Sequence, residues 1–192
     1  MRNELENISN YVENIYRDYG CSYLLYHNLD HTKQVVFRAK EIAQHCNLNG
    51  CDRFIVLAAA WFHDIGHLCG DIALHEEKSV EIMREYFKGK PIDDHIIACV
   101  EACIMATKMP VAPSNLLEEI LCDADTFHLG TSDFFETDKC VWDEMELRTG
   151  EPVTYRIEKS IGFLTSHKFF TPYCQKKLQD GKVRNILCLR TS

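Results

Sequence analysis

Leu57-Ala-Ala-Ala-Trp-Phe-His63-Asp64-Ile-Gly66-His67 is the stretch on which the reading of this chain turns. Six apolar residues run straight into an imidazole and a carboxylate. The run extends back to Phe54, nine apolar residues in all, against the ~20 needed to cross a bilayer. Residues 52–63 are apolar on every side, which predicts a central, buried helix. An ionised Asp64 at the end of such a helix costs several kcal/mol unless it is paired or bound to a cation.

Outward from that helix, apolar residues recur at steps of three and four, and no segment alternates for long. Residues 4–18 carry Leu5, Ile8, Val12 and Ile15 on one face, and that face has either the chain's own core or a second copy to pack on. Residues 29–47 carry Thr32, Val35, Ala39, Ile42 and Cys46, stopped by Asn47-Leu-Asn-Gly50. Gly66 and Gly70 break the chain after His63. Helices are expected over 76–87, 92–107 and 115–128, separated by Lys88-Gly-Lys-Pro91 and by Pro110 and Pro113. Two more fill 133–148 and 153–167, the first capped by Ser132 or Asp133 with Glu136 behind. A last helix over 172–188 starts on Pro172. The expectation is an all-α, compact helical bundle of about eight or nine helices in one domain, without repeats or linkers.

Charge narrows the partners. The chain has 192 residues, 21 basic and 29 acidic, for a net charge of −8. That balance opposes a binder of nucleic-acid polymers, which shows a basic stripe. It leaves room for a small phosphorylated substrate held by local cations or a metal. Met1-Arg-Asn-Glu-Leu-Glu lacks the apolar core of a signal peptide, so a cytoplasmic protein without membrane attachment is expected. The ten cysteines include no Cys-x-x-Cys pair. Cys46, Cys99, Cys103, Cys122 and Cys188 fall in apolar runs and read as buried free thiols.

Histidine and aspartate concentrate at three places: Tyr26-His-Asn-Leu-Asp-His31, the stretch through His63-Asp64, and Cys122-Asp-Ala-Asp125-Thr-Phe-His128. Asp125 repeats the oddity of Asp64, an acid ending an apolar helix. Taken singly, each residue reads as a hydrogen-bonded core group. Together they point to a divalent cation: two imidazoles and two carboxylates suit Mn, Fe, Co, Ni or Zn better than Ca.

In the order His31, His63-Asp64, Asp125, the chain resembles the HD superfamily of metal-dependent phosphohydrolases, and in particular its small single-domain bacterial members. His63-Asp-Ile-Gly66 is typical of that family. Asp123-Ala-Asp125, with Phe127 and Gly130 behind it, resembles the family's closing motif. The likeness covers about residues 22–130, with 131–192 as C-terminal helices packed on that core. It implies a helical bundle, one divalent metal ion (Mn, Fe, Co, Ni, Zn or Mg) on His31, His63, Asp64 and Asp125, and hydrolysis of a small, nucleotide-like phosphoester. Asp125 rather than Asp123 is the implied ligand, and two residues apart on a helix do not share a face. Asp123 is then a hydrogen-bonding acceptor beside the ligands or within its helix.

His67 stands where several branches of the family carry a catalytic Glu or Lys, and an imidazole suits proton transfer near neutral pH. Asp64, His67 and Lys108 are the expected catalytic residues, Lys108 as a cation at the mouth of the site. His75 and His95 are the histidines available to a second metal. The reading Met105-Ala-Thr107-Lys108, where relatives often place a histidine, disfavours a dinuclear centre. Tyr26 and His27 are expected to line the pocket and His128 to support Asp125. Lys33 is a weaker candidate, and Tyr155, His167 and Tyr173 are packing or rim residues. Two alternatives remain at this point: a non-catalytic nucleotide-binding sensor module, and an iron-dependent oxygenase on the same scaffold. A homo-oligomer is compatible with all three.

Overall fold

The computed structural model describes residues 2–69 and 72–191. Gly70, expected to break the chain, lies outside the described residues. The described residues form nine α-helices and no strand: α1 (Arg2–Tyr19), α2 (Leu29–His45), α3 (Gly50–Phe62), α4 (His75–Phe87), α5 (Asp94–Ala106), α6 (Leu116–Asp125), α7 (Phe134–Thr149), α8 (Arg156–Ser166) and α9 (Pro172–Thr191). Short 3-10 turns cover Ile65–Cys69, Ile72–Leu74 and Phe127–Gly130.

α3 is the axis of the bundle. Phe54, Val56, Ala58, Ala59, Ala60 and Phe62 are almost wholly removed from water, and α1, α2, α4, α5 and α6 all pack on it. Helix starts follow the local sequence. Asn28, Asn49 and Asn115 each accept two backbone amides of the first turn of α2, α3 and α6, respectively. The apolar face of α1 lies on the chain's own core, with Ile8 and Val12 fully buried.

At the end of α3 the chain is pinned by α4. The Ser79 hydroxyl donates to the His63 carbonyl at 2.7 Å and accepts the Gly66 amide at 2.9 Å. α4 approaches so closely that a Cβ on Gly66 would lie 1.9 Å from the His75 carbonyl oxygen. Gly66 is therefore a packing requirement as well as a helix stop.

The C-terminal helices close over the bundle. Asp123, fully buried, accepts the amides of Phe170 and Thr171 at 2.8 Å each and the Thr171 hydroxyl at 2.6 Å. It thus ties α6 to the entry of α9 and does not support the cation ligands. Gly130 and Gly181 meet backbone to backbone: a Cβ on Gly181 would fall 1.9 Å from the Gly130 carbonyl oxygen.

Three local expectations are corrected. α6 stops at Asp125, not at 128, because Thr126 turns its hydroxyl back onto the Cys122 carbonyl at 2.7 Å and the chain tightens into a 3-10 turn. The start of α7 has Asp133 at its cap in helical geometry, with no side-chain cap bond. Instead the Ser132 hydroxyl donates to the Asp133 carboxylate. All ten cysteines are free thiols, but Cys188 is exposed and Cys46 and Cys99 are half-buried.

Candidate metal centre

Three helices deliver four side chains to one point. His31 comes from the first turn of α2, His63 and Asp64 from the end of α3, and Asp125 from the last residue of α6. One ligand-capable atom of each lies within 4.8 Å of the others. Asp64 Oδ2 is 3.1 Å from both His31 Nε2 and His63 Nε2. Asp125 Oδ1 is 3.2 Å from His31 Nε2 and 3.7 Å from His63 Nε2.

The alignment of these groups matters as much as their distance. His31 Nε2, His63 Nε2 and Asp64 Oδ2 are buried, and none is in hydrogen-bonding geometry with a partner among the described residues. Buried polar atoms without partners cost free energy. The His63 ring is oriented from behind: its Nδ1–H donates to the Ala60 carbonyl at 2.9 Å. That fixes the proton on the far nitrogen and leaves the Nε2 lone pair facing the carboxylates, the arrangement a metal-binding histidine uses. The donor set, two imidazoles and two carboxylates, fits a divalent transition metal or Mg.

Electrostatics agree with that geometry. Burial works against ionisation of Asp64, but the facing imidazoles of His63 and His31 outweigh it and hold the carboxyl well below its usual range. Asp125 is half-buried; burial works against its ionisation too, and His31 and His63 outweigh it. Both acids are anionic at neutral pH and attract a cation.

A second group borders the first. His67, almost wholly buried, places Nε2 3.9 Å from Asp64 Oδ1, the oxygen turned away from the first cluster. Burial, followed by the nearby His27, pushes the His67 imidazole down to about 2, so it is neutral across the physiological range. The ring lies between His27, 4.0 Å away centroid to centroid, and His75, stacked on it at 3.9 Å. His27, Asp64 and His67 also place one ligand-capable atom each within 4.8 Å of one another.

Tyr26, His27 and His128 line the space above the cluster. The Tyr26 ring lies 4.4 Å from His31, and its hydroxyl sits 3.2 Å from His128 Nδ1. The other candidates are elsewhere. Lys108 follows the α5 terminus between Thr107 and Met109, which line the cavity, and its ammonium pairs with Glu77. Lys33 pairs with Glu13 on the surface. His95 is exposed beside Cys99. Tyr155 is exposed, and Tyr173 stacks on His45 and donates to Glu41.

A cavity of about 380 Å³ opens from Asp64 and Asp125 between the bundle and the C-terminal helices. Phe134, Trp142, Phe163 and Phe170 supply flat apolar wall. Polar atoms are few: Asp138 accepts the Ser160 hydroxyl at 2.7 Å, Trp142 Nε1 donates to Ser160 at 2.8 Å, and His167 Nε2 contacts the Thr126 hydroxyl at 3.0 Å. Sequence reasoning missed Asp138, Trp142, Ser160 and Phe163. Each sits in a helix whose apolar and charged residues read as ordinary packing and solvated face.

The fold and the four-ligand cluster define a class, and comparison with known proteins places the chain in it. The HD domain family matches residues 28–130, more than half of the sequence. The chain belongs to the HD domain family, the group whose resemblance pointed to metal-dependent phosphohydrolases. Among solved structures it superposes on a predicted HD superfamily hydrolase from an uncultured Thermotogales bacterium, with a TM-score of 0.63 and 20% identity, over 97% of this chain and 89% of that one. At that identity the likeness concerns the fold. No curated protein matches the sequence significantly. No helix among the described residues is long and apolar enough to cross a membrane.

Proposed function

We propose that the protein is a metal-dependent phosphohydrolase acting on a small, nucleotide-like phosphoester. The observation that carries the reading is the convergence of His31 Nε2, His63 Nε2 and Asp64 Oδ2, buried and without hydrogen-bond partners among the described residues, on one point shared with Asp125. These four residues would hold one divalent cation. When bound, such a cation supplies a lowered water pKa and compensates charge on a phosphate.

The chain's own groups divide the remaining work. Asp64 Oδ1 faces away from the cluster and accepts a hydrogen bond from a water, orienting it. His67, neutral and buried, donates from Nε2 to an oxygen at the same place. Lys108, held by Glu77 at the rim, contributes positive charge where a phosphate enters and transfers no proton. The cavity walled by Phe134, Trp142, Phe163 and Phe170 takes the non-phosphate part of the substrate. Flat apolar walls with Asp138 and Ser160 among them suit a planar ring carrying a few polar atoms.

The test is a screen of nucleotides and general phosphoesters with protein reconstituted separately with Mn, Fe, Co, Ni, Zn and Mg. Phosphate release by the wild type and none by Asp64→Ala is the expected result. Equal release by both sinks the proposal. Tight nucleotide binding without turnover under any metal would instead favour a sensor module. A two-iron spectrum after anaerobic loading would favour an oxygenase.

A further inference from the structure

Helix α7 contributes nothing to the four-ligand cluster, yet two of its side chains reach the edge of the site. Glu144 and Arg148 lie one turn apart on α7 and both side chains are buried. Glu144 Oε2 accepts the backbone amides of Tyr26 at 2.8 Å and His27 at 3.0 Å. Its Oε1 accepts His27 Nδ1–H at 2.7 Å and Arg148 Nη1–H at 3.2 Å. Arg148 Nη1 also lies 2.7 Å from His67 Nδ1.

A guanidinium has donors only and stays protonated in proteins. The Arg148–His67 contact therefore requires Nδ1 of His67 to accept. The neutral ring must then carry its proton on Nε2, the nitrogen that faces Asp64 Oδ1 at 3.9 Å. That distance is too long for a direct bond, and His67 Nε2 has no hydrogen-bond partner among the described residues. An oxygen atom beside the pair, within hydrogen-bond reach of both, would accept from His67 Nε2–H.

We propose that Arg148 is a positioning residue: it fixes His67 as an Nε2–H donor beside Asp64, and Glu144 holds Arg148 and the Tyr26–His27 segment in register for that purpose. The same contact bears on the trio of His27, Asp64 and His67. A cation there needs a lone pair on the site-facing nitrogen, and Arg148 puts a proton on it. Loss of Arg148 frees the ring to reverse its tautomer and opens that trio to a second cation. What the donor acts on rests on the phosphohydrolase reading; the tautomer does not.

The experiment is long-range proton–nitrogen NMR of the imidazoles in the full chain loaded with diamagnetic Zn or Mg, with His67 assigned by comparison with His67→Gln. The wild type is expected to show His67 as the Nε2–H tautomer. Arg148→Met is expected to shift it to the Nδ1–H form or to an average. Zn content measured by elemental analysis should rise from one to two per chain in the same variant. In the phosphoester assay, Arg148→Met should lower kcat with KM little changed, and Arg148→Lys or added guanidinium should restore part of it. An Nδ1–H tautomer in the wild type overturns the proposal, as does an unchanged tautomer in Arg148→Met. Should Arg148→Met fail to fold, the wild-type spectrum decides alone. A correct tautomer in a chain that hydrolyses no phosphoester would leave the clamp standing and remove the activity assigned to it.

Discussion

His31 Nε2 lies 3.2 Å from Asp125 Oδ1, bringing the first turn of α2 against the last residue of α6. With His63 and Asp64 between them, the two residues make the cation site a junction of three helices. Metal binding should therefore stabilise the fold as a whole. A ligand present at a hundred times its Kd adds about 2.7 kcal/mol, roughly 5–10 °C in Tm for a chain of this length. Thermal melts of chelator-treated protein with and without added Mn, Co or Zn measure this. Asp125→Ala should abolish the rise, and an unchanged Tm in the wild type would count against a cation site.

Asp64 touches both sides of the site, through Oδ2 to the two imidazoles and through Oδ1 toward His67. Asp64→Asn keeps the shape and removes the charge. It should bind metal more weakly and lower kcat/KM by at least about a hundredfold, the scale of a lost acid–base or metal-assisted contribution. Circular dichroism and elemental analysis on the same sample separate lost metal from lost fold.

Ser79 holds the chain just where α3 gives way to the ligands, donating to the His63 carbonyl and accepting the Gly66 amide. Ser79→Ala leaves both buried groups unpaired and should cost about 1–3 kcal/mol in denaturant unfolding. Gly66→Ala should cost more, because its Cβ would collide with the backbone of α4. A neutral result for Ser79→Ala would mean that the two backbone groups find other partners and that Ser79 does not hold the junction.

Acid should weaken the fold in two overlapping stages. Burial, helped by the charge of Lys182, pushes the His167 imidazole down to about 4 from 6.5. Between those values the unfolded chain takes a proton that the folded chain refuses, so stability falls as pH drops below 6.5. Burial works against ionisation of Glu144, but His27 and the amides it accepts bring its carboxyl down to about 2 from 4.5. Its contribution is complete above 4.5 and is lost from there toward 2. One such proton corresponds to about 1.4 kcal/mol per pH unit. Denaturant midpoints from pH 7.5 to 3 should decline throughout, and His167→Gln should flatten the upper part. A profile flat down to pH 4.5 in the wild type would contradict the His167 assignment.

The sequence discloses some of these residues and conceals others for identifiable reasons. His63 and Asp64 stand out because a charged pair ending an apolar helix has few cheap explanations. His31 and Asp125 are joined to them by the order of a family motif, since nothing local says that α2 and α6 end at the same point. The helical bundle follows from periodicity, whereas the asparagine caps of α2, α3 and α6 emerge only from the structure. Asp123 was harder: its partners, the amides of Phe170 and Thr171, lie 47 and 48 residues away. Glu144 and Arg148 were invisible. Spaced four apart in a charged helix, they look like a surface ion pair, and only the fold brings them to His27 and His67, 117 and 81 residues distant.

The backbone contact between Gly130 and Gly181 bears on how a survey of substitutions in this protein would read. It lies where the segment shared with the HD family ends and the C-terminal helix crosses it, with Leu178 of that helix closing over Gly130. Every replacement at either position adds atoms where there is no volume, so both would score among the least tolerant sites. That intolerance would record the fit of two main chains rather than chemistry, and ranking positions by sensitivity alone would draw an active site at the wrong place.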